Sequence, residues 1–222
     1  MSARENILAR IRSKIGTGPD APRTAAVEKR LKAHARNLIP TRGQGDDDHR
    51  VRVFTEMMEA VGGTVEVLDD INDVPEHVAA YLRQLNLPAH VRRGGDTVLA
   101  KLPWHRGGAI DVEEGRAVDS DKASLTRAFA GIAESGTIIQ YSSPESPTTL
   151  NFLPEAHIVV LEVANLHASY EEGWTQLRAQ LGEGVMPRTV NMISGPSRTG
   201  DIEQTIVRPA HGPKNMHVLI VR

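Results

Sequence analysis

Residues 194–203 read Ser-Gly-Pro-Ser-Arg-Thr-Gly-Asp-Ile-Glu, which gathers three hydroxyl groups, one guanidinium and two glycines in a short run. A strand that breaks at Gly195-Pro196 and resumes as a helix near Thr199 leaves backbone N–H groups unpaired at the helix start, beside Arg198. In outline this is an anion cradle. Arg198 would grip a small carboxylate or phosphate with a bidentate fork, Ser197 and Thr199 would donate to its other oxygens, and Ser194, Gly195 and Asp201 would complete the loop. The plainer alternative is that Thr199 caps the helix, Asp201 takes the first-turn donors and Arg198 pairs with a surface acid. His211-Gly212-Pro213 follows, and it would bring an imidazole beside the Arg198 loop as a proton acceptor, with Gly212 shaping the wall. Alternatively, Gly212 and Pro213 only set a turn and His211 bonds a carbonyl.

Other chemistries are excluded by what the chain lacks. It has no cysteine, so disulfides, thiolate nucleophiles, Cys-ligated zinc and Cys-held iron–sulfur clusters have no ligand here. Neither G-x-x-x-x-G-K-[ST] nor a complete G-x-G-x-x-G occurs, which argues against a P-loop nucleotidase or a Rossmann dehydrogenase. His211 and His217 lack H-E-x-x-H spacing, so no metal site is expected.

These residues need elements to position them. Asp46, Asp47 and Asp48 suit a helix N-terminus, with Val51, Phe54, Met57 and Val61 marking one face before Gly62-Gly63. Residues 64–68 read as a strand, Asp73-Val-Pro-Glu76 opens a helix with Val78, Tyr81, Leu82 and Leu85 facing a core, and 97–102 reads as another strand. Strands at 137–141, 157–163, 189–193 and 218–221 and a helix from Ser169 to Gly182 complete an alternation that predicts an α/β fold: a mainly parallel sheet flanked by helices. In such sheets ligands bind beyond the carboxyl ends of strands. That rule singles out two loops, Ser142–Thr149 and Ser194–Glu203, and predicts that they share one cleft with His211.

Residues 1–45 read as an N-terminal helical extension and 46–222 as the α/β domain. Ser2 and Glu5 form a capping box ahead of Ile7, Leu8, Ile11 and Ile15, and a second helix is expected from Thr24 to about Asn37. Residues 1–40 hold nine Lys or Arg against three acids, a net +6 within a chain of net −2. No aromatic side chains interleave these charges, so the arm suits a protein partner or a solvated face better than nucleic acid. No apolar run is long enough to span a membrane and no signal peptide is visible, so a cytoplasmic protein is expected.

The run at 194–203, His-Gly-Pro at 211–213 and Met-His-Val-Leu-Ile-Val at 216–221 together resemble the closing signature of the LUD-domain family, in its lactate utilisation protein C branch. Ile-Ala-Glu-Ser-Gly-Thr at 132–137 and Leu-Pro-Glu-Ala-His-Ile-Val-Val at 153–160 resemble it as well. One departure is Pro209, where the family usually has a Gly two residues before the His. The resemblance implies a fold related to the sugar-phosphate isomerase, CoA-transferase and formyltetrahydrofolate cyclo-ligase group. It also implies a cofactor-free subunit of an L-lactate utilisation system, whose iron–sulfur clusters sit on partner proteins, and it assigns this subunit no catalytic residue; His211, from its place beside the Arg198 loop, is the candidate acceptor for a lactate hydroxyl proton. The alternative it leaves open is a free-standing enzyme of the isomerase, acyl-CoA transferase or cyclo-ligase type. In the transferase version Glu134, followed closely by Gly136, would be the nucleophile on an acyl thioester.

Overall fold

The computed structural model describes residues 2–15, 21–182, 184–198 and 212–222; Thr199, Asp201 and His211 lie outside them. The chain divides into two units, Met1–Leu38 and Ile39–Arg222. The first carries helices α1 (Ala3–Ile15) and α2 (Ala21–Ala33), neither with a buried residue. The capping box forms: Ser2 N–H donates to Glu5 Oε2 at 2.6 Å and Glu5 N–H to Ser2 Oγ at 3.3 Å. Ile7, Ile11 and Ile15 remain exposed on α1, and Leu31 on α2.

The second unit runs α3 (Asp47–Ala60), β1 (Thr64–Leu68), α4 (Val74–Gln84), β2 (His90–Arg93), α5 (Thr97–Ala100), β3 (Asp111–Glu114), β4 (Ala123–Arg127), β5 (Ala130–Ile132), β6 (Thr137–Tyr141), α6 (Thr149–Phe152), β7 (Ala156–Glu162), β8 (Leu166–His167), α7 (Tyr170–Leu181), β9 (Val190–Ile193) and β10 (Asn215–Val221). Six strands form one sheet in the order β1-β10-β7-β4-β2-β3, and every neighbouring pair in it is parallel. The mainly parallel sheet flanked by helices is therefore as the alternation predicts. β10 and β7 lie side by side inside it, and their near-continuous apolar runs suit strands covered on both faces.

A second sheet, β8-β5-β6-β9, departs from that expectation, because β6 pairs antiparallel with both β5 and β9. The chain leaves the parallel sheet after β4, builds this sheet, and returns through β7 and again through β10. The 97–102 segment departs as well: it is a helical turn, because Asp96 Oδ1 accepts from the N–H groups of Val98 (2.9 Å) and Leu99 (3.0 Å) and so caps a helix start.

Side-chain alternation along the strands sets the layers. Leu125, Ile158, Val160 and Leu219 face α4 and α5, packing on Val78, Leu82 and Leu99. Val159, Leu161, Val218 and Ile220 face the other way, onto Phe54 and Met58 of α3 and Ile138 of β6. α7 then covers the outer face of the second sheet. It comes in close because a Cβ on Gly173 would stand 2.8 Å from the Cδ1 atoms of both Ile132 and Ile139.

Candidate functional site

The Ser-Gly-Pro-Ser loop follows β9 at the amino end of the parallel sheet. Gly195 holds φ +95°, a conformation that L side chains rarely adopt, and a Cβ there would lie 2.4 Å from Val61 Cγ2. Beyond the turn, Ser197 N–H donates to Pro213 O at 2.9 Å and ties this loop to the Gly212-Pro213 segment. The two segments thus meet, as the sequence suggested for Ser197 and Gly212. Gly195, Pro196, Ser197, Gly212 and Pro213 form one wall of a pocket of about 140 Å³, with Asn151 and Phe152 of α6, His157 of β7 and Met216 of β10 opposite. Arg198 is half-buried, but it lines neither this pocket nor the larger cavity described below.

His157 and Asn151 give this pocket its chemistry. They are 1% and 2% exposed. His157 Nδ1 and Asn151 Oδ1 have no hydrogen-bond partner among the described residues, although buried polar atoms are nearly always satisfied. The other imidazole nitrogen, Nε2, lies 2.8 Å from Thr126 Oγ1, which in turn accepts from Gln140 Nε2 at 2.8 Å. With the Thr126 hydroxyl donating to Nε2, the imidazole proton sits on Nδ1. Two residues that line this mainly apolar pocket therefore carry a buried imidazole nitrogen and a buried amide oxygen without partners among the described residues. Burial pulls the His157 imidazole down to about 3, so it is neutral at pH 7.

Sequence reasoning passed over His157. The available signal was its position inside an otherwise apolar strand, where a buried histidine calls for an explanation. Among the described residues, no group of three or more His, Cys, Asp or Glu side chains is placed to hold a metal ion.

Glu134 occupies a 3₁₀ turn, Ala133–Ser135, and is buried. Its Oε1 accepts from the Tyr170 N–H at 3.1 Å, where a carboxylate complements the first turn of α7. It lines neither the pocket nor the larger cavity. Close to it the Thr137 hydroxyl joins Ser135 (2.7 Å), Tyr170 (2.7 Å) and Ser194 (2.6 Å). Ser194 is thus held by a hydroxyl cluster at the start of β6 and does not line the pocket.

The loop after β6 goes elsewhere. Ser143, Glu145 and Ser146 line a cavity of about 410 Å³ at the carboxyl ends of β2 and β4, together with Asp96, Arg127 and Gln140. The single cleft expected from the two loops is therefore corrected to two cavities at opposite edges. The cause is the antiparallel pairing of β6 and β9, in which Tyr141 lies opposite Val190 and Ile138 opposite Ile193, so the loops that follow these strands leave from opposite ends. The larger cavity does sit where the chain switches faces: β2 leads to α5 on one side of the parallel sheet and β4 to the second sheet on the other. Gln140 and Thr126 line this cavity and His157 lines the other, so a hydrogen-bonded thread joins them.

Comparison with known proteins adds three findings. The LUD domain model matches residues 51–221. The chain is 26% identical over 233 residues to lactate utilization protein C of Bacillus subtilis, covering 98% of this chain and 95% of that one, and 36% identical over 98 residues to lactate utilization protein C of an Exiguobacterium species, covering 44% and 43%. It is also 26% identical to an uncharacterized protein of Neisseria meningitidis serogroup B, across 100% of this chain and 94% of that one. Among solved structures, a DUF162 family protein from Deinococcus radiodurans superposes with a TM-score of 0.61 at 20% identity, over 81% of this chain and 100% of that chain, a likeness of fold.

Proposed function

This chain belongs to the LUD domain family, and from that premise we propose that it serves L-lactate utilisation as a subunit that binds a small carboxylate in the amino-edge pocket. The observation that carries the binding site is a pair of buried atoms without partners among the described residues, His157 Nδ1 and Asn151 Oδ1, on two residues that line a pocket walled by the two loops of the family signature. A hydroxyl or carbonyl oxygen next to a carboxylate meets that pair well: the imidazole N–H donates to oxygen and the amide oxygen accepts from a hydroxyl. Arg198 directly follows Ser197 in the chain and adds positive charge near this edge, while its side chain does not line the pocket. The role in lactate use is supported by the relatives named lactate utilization protein C.

Oxidation of lactate to pyruvate removes two electrons and two protons. With no cysteine in the chain to hold an iron–sulfur cluster, the electrons pass to clusters on partner proteins. His157, neutral down to about pH 3, orients the oxygen through its single N–H and takes up no second proton at neutral pH, so the two protons leave to solvent. The basic N-terminal unit, with its exposed Ile7, Ile11 and Ile15, docks the partners.

The test is reconstitution with iron–sulfur partner proteins, lactate and an artificial electron acceptor. Turnover requires both the chain and its partners, falls as salt is raised, and weakens when residues 1–38 are deleted. Turnover by the chain alone, or full turnover by the partners without it, contradicts this reading.

A further inference from the structure

The larger cavity is not used by the function proposed above, and its lining defines the chemistry of what it would hold. At about 410 Å³ it falls within the range of small-molecule sites. Three charged side chains line it: Asp96, Arg127 and Glu145. Arg127 is already committed, with Nε 2.9 Å from Asp96 Oδ2 and Nη1 3.0 Å from Glu162 Oε1. Burial alone would lower this guanidinium, but the two carboxylates outweigh it and keep it charged. Asp96 is committed as well, since its Oδ1 takes the first N–H groups of α5. The helix start that might have received an anion is therefore filled from within, and two lining carboxylates against one guanidinium disfavour a phosphate or carboxylate ligand.

What remains is neutral and rich in hydrogen-bonding groups. Gln140, Asn165, Gln180, Ser143 and Ser146 line the space, with Gln140 Nε2 already donating to Thr126 and Asn165 Oδ1 already accepting from Gln176 Nε2. Phe129 and Tyr141, packed edge to face with centroids 5.1 Å apart, give it an aromatic wall. Carboxamides carry donors and acceptors side by side, and neighbouring hydroxyls on a ring donate and accept in the same way. We propose that this cavity is a second binding site, for a neutral, hydroxyl-rich ring compound of mono- to disaccharide size.

The site is distinct from the amino-edge pocket, so it stands or falls independently of the lactate reading. Saturation-transfer NMR on the full chain tests it with D-ribose, D-glucose and sucrose as neutral probes, D-ribose 5-phosphate as the anionic probe and putrescine as the cationic one. At least one neutral sugar binds with Kd of about 1 mM, and D-ribose 5-phosphate binds at least about tenfold more weakly than D-ribose. Gln180→Ala, an exposed position on α7, weakens the sugar about 2- to 10-fold by removing one or two hydrogen bonds. The proposal is overturned if no neutral sugar shows transfer at about 50 mM, if D-ribose 5-phosphate or putrescine binds more tightly than every sugar, or if Gln180→Ala changes nothing.

Discussion

His157 stands at the start of a buried strand, followed by Ile158, Val159 and Val160, and burial holds its imidazole at about 3. His217, stacked on Tyr81 with centroids 4.1 Å apart, is pulled down to about 4, again by burial and partly opposed by Glu66. An unfolded histidine takes its proton near 6.5, so below that pH the unfolded chain binds protons that these folded imidazoles refuse. Their contribution to stability is complete above about pH 6.5 and is lost as pH falls towards 4 and then 3. Urea denaturation across that range should show wild-type stability falling with acid, and His157→Gln falling by about 1–2 kcal/mol less between about pH 6.5 and 4.5. Parallel curves for the two proteins would contradict the assignment of a buried neutral imidazole. At this scale Ser197 and Gly212 were legible because turn chemistry announces them. His157 was not, since a strand read by its apolar run hides a polar side chain within it.

The elements were legible where local chemistry is strong. The capping box at Ser2, the Asp46 cap of α3 and the Pro-initiated α4 form as their residues dictate. β2 and β4 were missed because His-Val-Arg-Arg and Ala-Ser-Leu-Thr-Arg carry too little apolar pattern. They become strands through pairing: β2 lies between β3 and β4, and Arg92 grips Asp121 with Nε–Oδ2 at 3.0 Å and Nη2–Oδ1 at 3.2 Å. The direction of β6 and β9 was invisible for a similar reason, since pairing sense is decided between strands and not within them. That one fact separated two loops expected to share a cleft. Gly195 is the local hinge of the outcome, because its positive φ and the close approach of Val61 leave no room for a side chain. Gly195→Ala should cost about 1–3 kcal/mol in denaturant melts. It should also weaken carboxylate binding, and a variant as stable as wild type would show that the turn tolerates a Cβ.

At the scale of the molecule, the parallel sheet carries the small pocket at its amino end and, at its carboxyl end, the 410 Å³ cavity and another of about 460 Å³ beside Asp70, Glu162 and Arg222; a polar thread through Gln140, Thr126 and His157 runs between the first two. The 410 Å³ cavity follows the general rule for α/β sheets, whereas the smaller one exists because the loop after β9 and the segment before β10 meet at the amino edge. The central claim is that the amino-edge pocket is the carboxylate site. Its most direct test is a titration of lactate and pyruvate into isotope-labelled full-length protein, followed by amide and histidine-ring NMR signals. The account predicts saturable shifts at Gly195, Ser197, Gly212 and the His157 ring, with Kd of about 1 mM or tighter for at least one of the two acids. Shifts confined to Asp96, Ser143 and Glu145 at the other edge, or none at all, would contradict it.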